Sequence, residues 1–208
     1  MLAIVNRLII MKLLTTNRKE QILQEATRLF SESGYTKVTI KQLAEACGIS
    51  EPALYRHFES KEAIYNAVLD SIENRLTSQI FFNQFENEQD LETLLNKFSY
   101  HIVDFFTKNE DIYRLLLYSS LSEHSKAKEV FQNIRGAYVK FLYRKLDQLA
   151  QQNIIAKKNN ELTARCFTGM VFDCALSITL WRGYQGKYYK PKDVIANNVP
   201  IYVKGLQE

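Results

Sequence analysis

The chain has 208 residues, 46% hydrophobic and 24% charged, a composition ordinary for a soluble protein and long enough to bury a core as one large or two small domains. A net charge of +4 permits nucleic-acid binding without arguing for it, so the placement of the charges has to decide. Cys47, Cys166 and Cys174 are odd in number. The last two would stand about 12 Å apart on one helix at about 1.5 Å per residue, which excludes a bridge between them. Reduced cytoplasmic thiols are the reading, with a Cys166 or Cys174 bridge across a dimer as the sharper alternative.

The first sixteen residues, MLAIVNRLIIMKLLTT, are apolar. Arg7 and Lys12 interrupt the run, the charge does not precede it, and no small-x-small cleavage site follows, which argues against a signal peptide. Either Met11 is the true start, or the tail is frayed or a short helix lying on the domain. From Asn17 and Glu20, a start signal, Ile22, Leu23, Ala26, Leu29 and Phe30 recur at helical spacing up to a stop at Gly34.

The most informative stretch is TIKQLAEACGISEPALYRHFESKE, from Thr39 to Glu62. Thr39 with Gln42 forms a capping box, and Leu43, Ala44 and Cys47 give a first short helix its apolar face. Gly48 stops that helix, and Ser50 caps a second one. Pro52 is tolerated in its first turn, where N–H groups have no intrahelical partner, while Leu54 and Phe58 face inward. Small Ala44 at the close approach, Gly48 at the turn and Leu54 as the lock make a helix-turn-helix. Ser60 caps a further helix.

With those surroundings the region resembles the tetracycline-repressor (TetR) family of bacterial transcription regulators. Ile22, Ala26, Phe30, Gly34, Tyr35, Thr39, Leu43, Ala44, Gly48, Ile49, Ser50, Leu54, Tyr55, His57, Phe58, Lys61 and Glu62 carry the resemblance, which spans Asn17 to about Leu69. A helix-turn-helix lays its second helix in the major groove, so Glu51, Pro52, Ala53 and Arg56 are the candidates to touch bases. Arginine pairs bidentately with guanine, glutamate accepts from the cytosine amino group, and alanine meets the thymine methyl. Glu51 is equally explained as a partner of the helix dipole. The resemblance implies that Tyr55, His57 and Lys61 hold backbone phosphates, with Thr39 and Lys41 doing the same one helix earlier; Ser50 lies at the reading helix's N-terminus. Arg18, Lys19 and Lys37 read as a solvated face. One short reading helix discriminates few base pairs, so two half-sites and a homodimer are expected, and the resemblance implies assembly through the last two helices.

Downstream the pattern stays helical, with only two of the chain's three prolines, Pro191 and Pro200, and no strand-like alternation. Helices are expected from Ser60 to about Ile80, Asp90 to Thr107, Asp111 to Ser120, Glu123 to Gln152, after Asn160 to about Tyr184, and from Pro191 onward. Asn83 to Gln89 is a polar linker, and Lys157 to Asn160 a loop. The fold class is therefore all-α: a three-helix helix-turn-helix DNA-binding domain (17–62) after a tail (1–16), a connecting helix (63–82), and a larger C-terminal helical domain (83–208) for ligand binding and dimerisation.

That last region is aromatic-rich, which suits a packed bundle core or an apolar pocket between helices. Helical phase nominates Phe105, Tyr113, Leu117, Tyr138, Phe141, Phe167 and Trp181 as pocket lining. Asp173 is the single charge between Cys166 and Trp181, a run too short to span a membrane. It must face water, pair with a cation such as Arg135 or Arg144, or await a cationic or hydroxyl-bearing ligand. Gly169, Ala175 and Ser177 on the same helix suit close packing against a partner. His101 and Asp104 share a helix face but find no third partner at metal spacing, so neither catalysis nor a metal or cofactor is expected. The function read from the chain is a cytoplasmic DNA-binding regulator, a repressor released from a palindromic operator by a small, mostly apolar effector. The alternative is a regulator of the same fold controlled by a protein partner or by abundance.

Overall fold

Capping chemistry sets the boundaries of the first elements. The protein was analysed as a computed structural model that describes residues 2–77, 82–121, 124–181 and 189–208, with side chains from Arg18 onward. Helix α1 (Leu2–Ser33) runs through Asn17 without a break, so the helix begins upstream of the expected start signal. No glycine or proline stands in that upstream stretch to stop it. Gly34, at φ +76°, ends α1 as expected.

Helix α2 (Ile40–Ala46) opens on the predicted capping box: the Gln42 amide donates to Thr39 Oγ1 at 3.2 Å, and the Thr39 amide donates to Gln42 Oε1 at 2.9 Å. Gly48, at φ +64°, turns the chain, a conformation that costs a residue with a Cβ roughly 1–2 kcal/mol. Helix α3 (Glu51–Tyr55) is capped by Ser50, whose Oγ accepts from the Ala53 amide at 3.4 Å. Helix α4 (Lys61–Thr77) follows, with Ser60 Oγ accepting from the Ala63 amide at 3.0 Å. The expected end of α4 at Ile80 lies outside the described residues.

The remaining helices are α5 (Leu91–Lys108), α6 (Glu110–Leu121), α7 (Ser125–Gln151), α8 (Asn160–Thr179) and α9 (Pro191–Gln207). Asp90 caps α5 by accepting from the Thr93 amide at 2.8 Å, and Asn159 caps α8 by accepting from the Leu162 amide at 3.0 Å. The expected start of α7 at Glu123 falls outside the described residues, while α8 ends at Thr179, with Leu180 as its C-cap, short of the expected end near Tyr184. Among the described residues there is no strand, and no helix is long and apolar enough to cross a membrane.

Two layers of contact position the site. The reading head forms where α1 packs on α2 and α4, and α2 on α3. Its core is Ile22, Ala26, Phe30, Leu43, Ala44, Leu54 and Ile64, all buried. In the C-terminal bundle α7 packs on α4, α6 and α8, while α9 closes against α5 and α8. An aromatic network fills it. Tyr138 meets Phe82, Phe98 and Phe172 edge-on at 5.4, 5.8 and 5.6 Å, and Phe106 lies 4.2 Å from Tyr113. The two halves meet where α1 packs on α6 and α4 on α7.

Candidate nucleic-acid interface

Leu54 is the hinge of the site's geometry. Its side chain is fully buried, which anchors one face of α3 and turns the opposite face outward. Burying such a leucine stabilises by roughly 1.5–3 kcal/mol, far more than any surface contact of so short a helix. Glu51, Pro52, Tyr55 and Arg56 are accordingly exposed and Ala53 is half-buried. Tyr55 keeps 49% of its surface open, a large amphipathic ring with no core role. Behind them the Ile49 amide donates to Ala44 O and the Gly48 amide to Glu45 O, both at 3.0 Å, so the turn satisfies its own backbone.

His57 is half-buried at the end of this unit. Burial, then the positive charges of Lys19, Arg56 and Arg18, hold its pKa below the usual histidine value. Those three cations lend the surface patch around His57 positive charge. Lys19 lies 5.6 Å over the Phe58 ring, so its stem covers the apolar edge of the head while its charge joins this patch. Arg18 and Lys19, read from the sequence as a plain solvated face, thus stand beside the candidate interface. Periodicity alone could not show this, since they are nearly forty residues upstream of His57.

Thr39 and Ser50 spend their hydroxyls on helix caps, which leaves them at helix N-termini where backbone N–H groups favour phosphate. Lys41 is exposed and only loosely paired with Glu45 at 3.9 Å. Lys61 is placed differently: its ammonium donates to Tyr35 O and Val38 O, both at 3.0 Å.

The candidates for effector lining separate into three groups. Tyr113, Tyr138, Phe141 and Phe167 are buried. Tyr113 donates its hydroxyl to Phe172 O, and burial pushes its pKa well up. Phe98 lies 5.8, 6.3 and 6.2 Å from the rings of Tyr138, Phe141 and Phe167. Phe105 and Leu117 are partly buried against the core. Trp181 is 61% exposed and Asp173 is also exposed. Arg144 holds Glu86 bidentately at 2.7 Å, and Arg135 turns its guanidinium onto the Phe131 and Phe172 rings. Asp173 lines a cavity of about 550 Å³ with Cys174, Ile178, Tyr189, Asp193 and Asn198, and Phe141 borders a cleft of about 690 Å³. Asp104 binds Lys108 at 2.8 Å, while His101 contacts Gln84 at 3.2 Å and packs edge-to-face with Phe85.

A capped seven-residue helix, a left-handed glycine and a capped five-residue helix with an open outer face define a helix-turn-helix DNA-binding protein. Residues 22–68 match the family model described as bacterial regulatory proteins, tetR family, and this part of the chain is a TetR-family DNA-binding domain. The chain is similar to the nucleoid occlusion factor SlmA of Haemophilus ducreyi, 34% identical over 113 residues that make up 53% of this chain and 55% of that protein. It spans about half the length of the curated relatives it matches. Among solved structures it resembles a TetR transcription regulator from Haloarcula marismortui, with a TM-score of 0.73 at 16% identity, covering 93% of this chain and 100% of that one. It also resembles the transcriptional regulator FadR from Bacillus subtilis in complex with stearoyl-CoA, with a TM-score of 0.69 at 15% identity, covering 90% and 98%. These identities make the likeness one of fold, and it extends through the C-terminal bundle.

Proposed function

We propose that this protein is a homodimeric, cytoplasmic transcription regulator that binds a palindromic DNA operator and represses until a small, mostly apolar effector occupies the C-terminal bundle. The observation that carries the reading is the buried Leu54 under an exposed Glu51–Pro52–Tyr55–Arg56 surface within a TetR-family domain. In it, Arg56, Glu51, Pro52 and Ala53 face base edges. Tyr55, His57 and Lys41 hold phosphates with the N-termini capped by Thr39 and Ser50.

Dimerisation through α8 and α9 would double the site and set the spacing of the half-sites at about 34–36 Å or a multiple. Leu162 and Ile201, 56% and 64% exposed on those two helices, supply apolar surface for it. Effector and operator would oppose each other by linkage, each weakening the other by the same factor. The stearoyl-CoA complex of FadR supports an apolar effector as the class to screen.

A second reading, control by a protein partner without a small ligand, is favoured by the similarity to SlmA, a nucleoid occlusion factor. The deciding experiment is a footprint of the protein on DNA upstream of its own gene, beside Tyr55→Ala. Protection of an inverted repeat that weakens at least tenfold in the variant, on the scale of about 1–3 kcal/mol for a lost contact, supports regulation. No protection at low salt by a folded dimer sinks it. Release of the protected DNA by long-chain acyl compounds separates the first reading from the second.

A further inference from the structure

We propose that Lys61 is a positioning residue that clamps the connection between α1 and α2 and so sets the reading head on the C-terminal bundle, and that it does not contact phosphate. The inference rests on the reading of α3 as the DNA-reading helix. Lys61 opens α4 and is half-buried. Its Nζ donates to Tyr35 O and Val38 O, both at 3.0 Å, and lies 4.3 Å from the centroid of the Tyr35 ring. An ammonium has three N–H donors, and charge-assisted bonds to carbonyls are about twice as strong as neutral ones. Two donors and the face of a π system are therefore already committed, and a phosphate would have to compete with them.

The two carbonyls belong to the four residues between Gly34 and the Thr39 cap, a segment outside any helix. Holding both of them fixes where α2 starts, and α2 in turn carries α3 through the contact of Leu43 and Ala44 with Leu54 in one core. The clamp does not end in the head. The Tyr35 ring packs 4.7 Å from Tyr65 of α4 and 5.7 Å from His124 at the start of α7. Tyr65 lies 5.1 Å from His124 and shares a hydrogen bond of 2.7 Å with Ser119 of α6, more than fifty residues away. Lys61, Tyr35, Tyr65, Ser119 and His124 thus form one continuous joint between the two domains, with Lys61 as the member that holds the segment leading into α2. A shift of α6 or α7 would reach α2 through it.

The test is Lys61→Met, which keeps the apolar stem and removes the charge and donors. Two quantities are read: the salt dependence of binding to the DNA found by footprinting, and amide hydrogen exchange of the DNA-free protein. A positioning role predicts affinity about tenfold weaker with the wild-type slope of log affinity against log salt, and faster exchange across residues 35–46. A phosphate contact predicts a slope smaller in magnitude by about 0.9; that fall, or unchanged exchange, overturns the proposal. Tyr65→Phe removes only the hydroxyl at the far end of the joint and serves if Lys61→Met does not fold. Its expected signature is about threefold weaker binding, an unchanged slope and faster exchange in the same segment, and wild-type values of all three overturn the joint. Should the wild-type protein bind no DNA, the regulator reading falls, while the exchange measurement still decides for or against the clamp.

Discussion

The reading head and the C-terminal bundle hold their shapes by different means. In the head, α2 and α3 are seven and five residues long, too short to be stable as isolated helices. They persist because each end is closed locally, by Thr39 with Gln42, by Gly48 and by Ser50, and because one buried leucine pins the second helix to the first. In the bundle, α7 alone has 27 residues, and its order comes from rings contributed by distant segments: Phe82, Phe98, Tyr138, Phe141, Phe167 and Phe172. A small unit held by caps and a few contacts can present a rigid surface to DNA while remaining easy to tilt. A large unit held by interlocking rings moves as a block. Coupling between them therefore has to pass through the helix contacts that join them, α1 on α6 and α4 on α7.

The sharpest way to break the head alone is Leu54→Ala. Truncating a fully buried leucine is expected to cost about 2–5 kcal/mol and to abolish DNA protection, as read by denaturant unfolding and footprinting. If the bundle keeps its near-ultraviolet circular dichroism while the head unfolds, the two regions are separate cooperative units. Coincident loss would show that the joint at Tyr65 and Ser119 makes them one.

A pH titration addresses the bundle. Burial holds the His101 pKa down to about 4 against 6.5 for an ordinary histidine, with a weaker opposing pull from Asp104. The folded state therefore binds the imidazole neutral, and the unfolded state takes up the proton first as pH falls. Stability from this group is fully present above about pH 6.5 and is lost progressively toward about pH 4. At about 1.4 kcal/mol per unit, reduced by solvent screening of a partly exposed ring, the loss is on the order of 1–2 kcal/mol. Thermal unfolding between pH 7 and pH 4 should show it, and His101→Gln should flatten the slope. An unchanged slope in the variant would assign the acid sensitivity to other groups.

The smallest effect returns to the head. Thr39→Ala removes one cap and is expected to cost about 1 kcal/mol, with Thr39→Ser close to wild type, by the same unfolding measurement. A cost several times larger would mean that α2 feeds stability into the bundle, which would erase the contrast drawn above.

These differences follow the division between what neighbours along the chain decide and what distant segments decide. The capping box at Thr39, the turn at Gly48, the cap at Ser50 and the inward Leu54 were legible in the chain because each depends on residues within four or five positions. The all-α class and the helix sequence were legible for the same reason, through periodicity. Periodicity reports which side of a helix is apolar and is silent on what that side meets. It nominated Trp181 and Tyr138 alike as pocket lining, yet one is 61% exposed and the other is locked among Phe82, Phe98 and Phe172. The start of α1 at Leu2 rather than near Asn17 was hidden too, since a good cap is a preference that a run of helix-forming residues can override.

The helix-turn-helix and the identity of its outward-facing residues follow from the chain alone, because short-range hydrogen bonds and one apolar stripe suffice for both. Packing in three dimensions was needed to bring Arg18 and Lys19 near His57, to lay Arg135 on the Phe172 ring, and to rest the Lys61 ammonium on the carbonyls of Tyr35 and Val38. Those outcomes depend on distances between residues more than twenty positions apart, and Coulomb and hydrogen-bond energies fall off too steeply with distance for composition or spacing to reveal them.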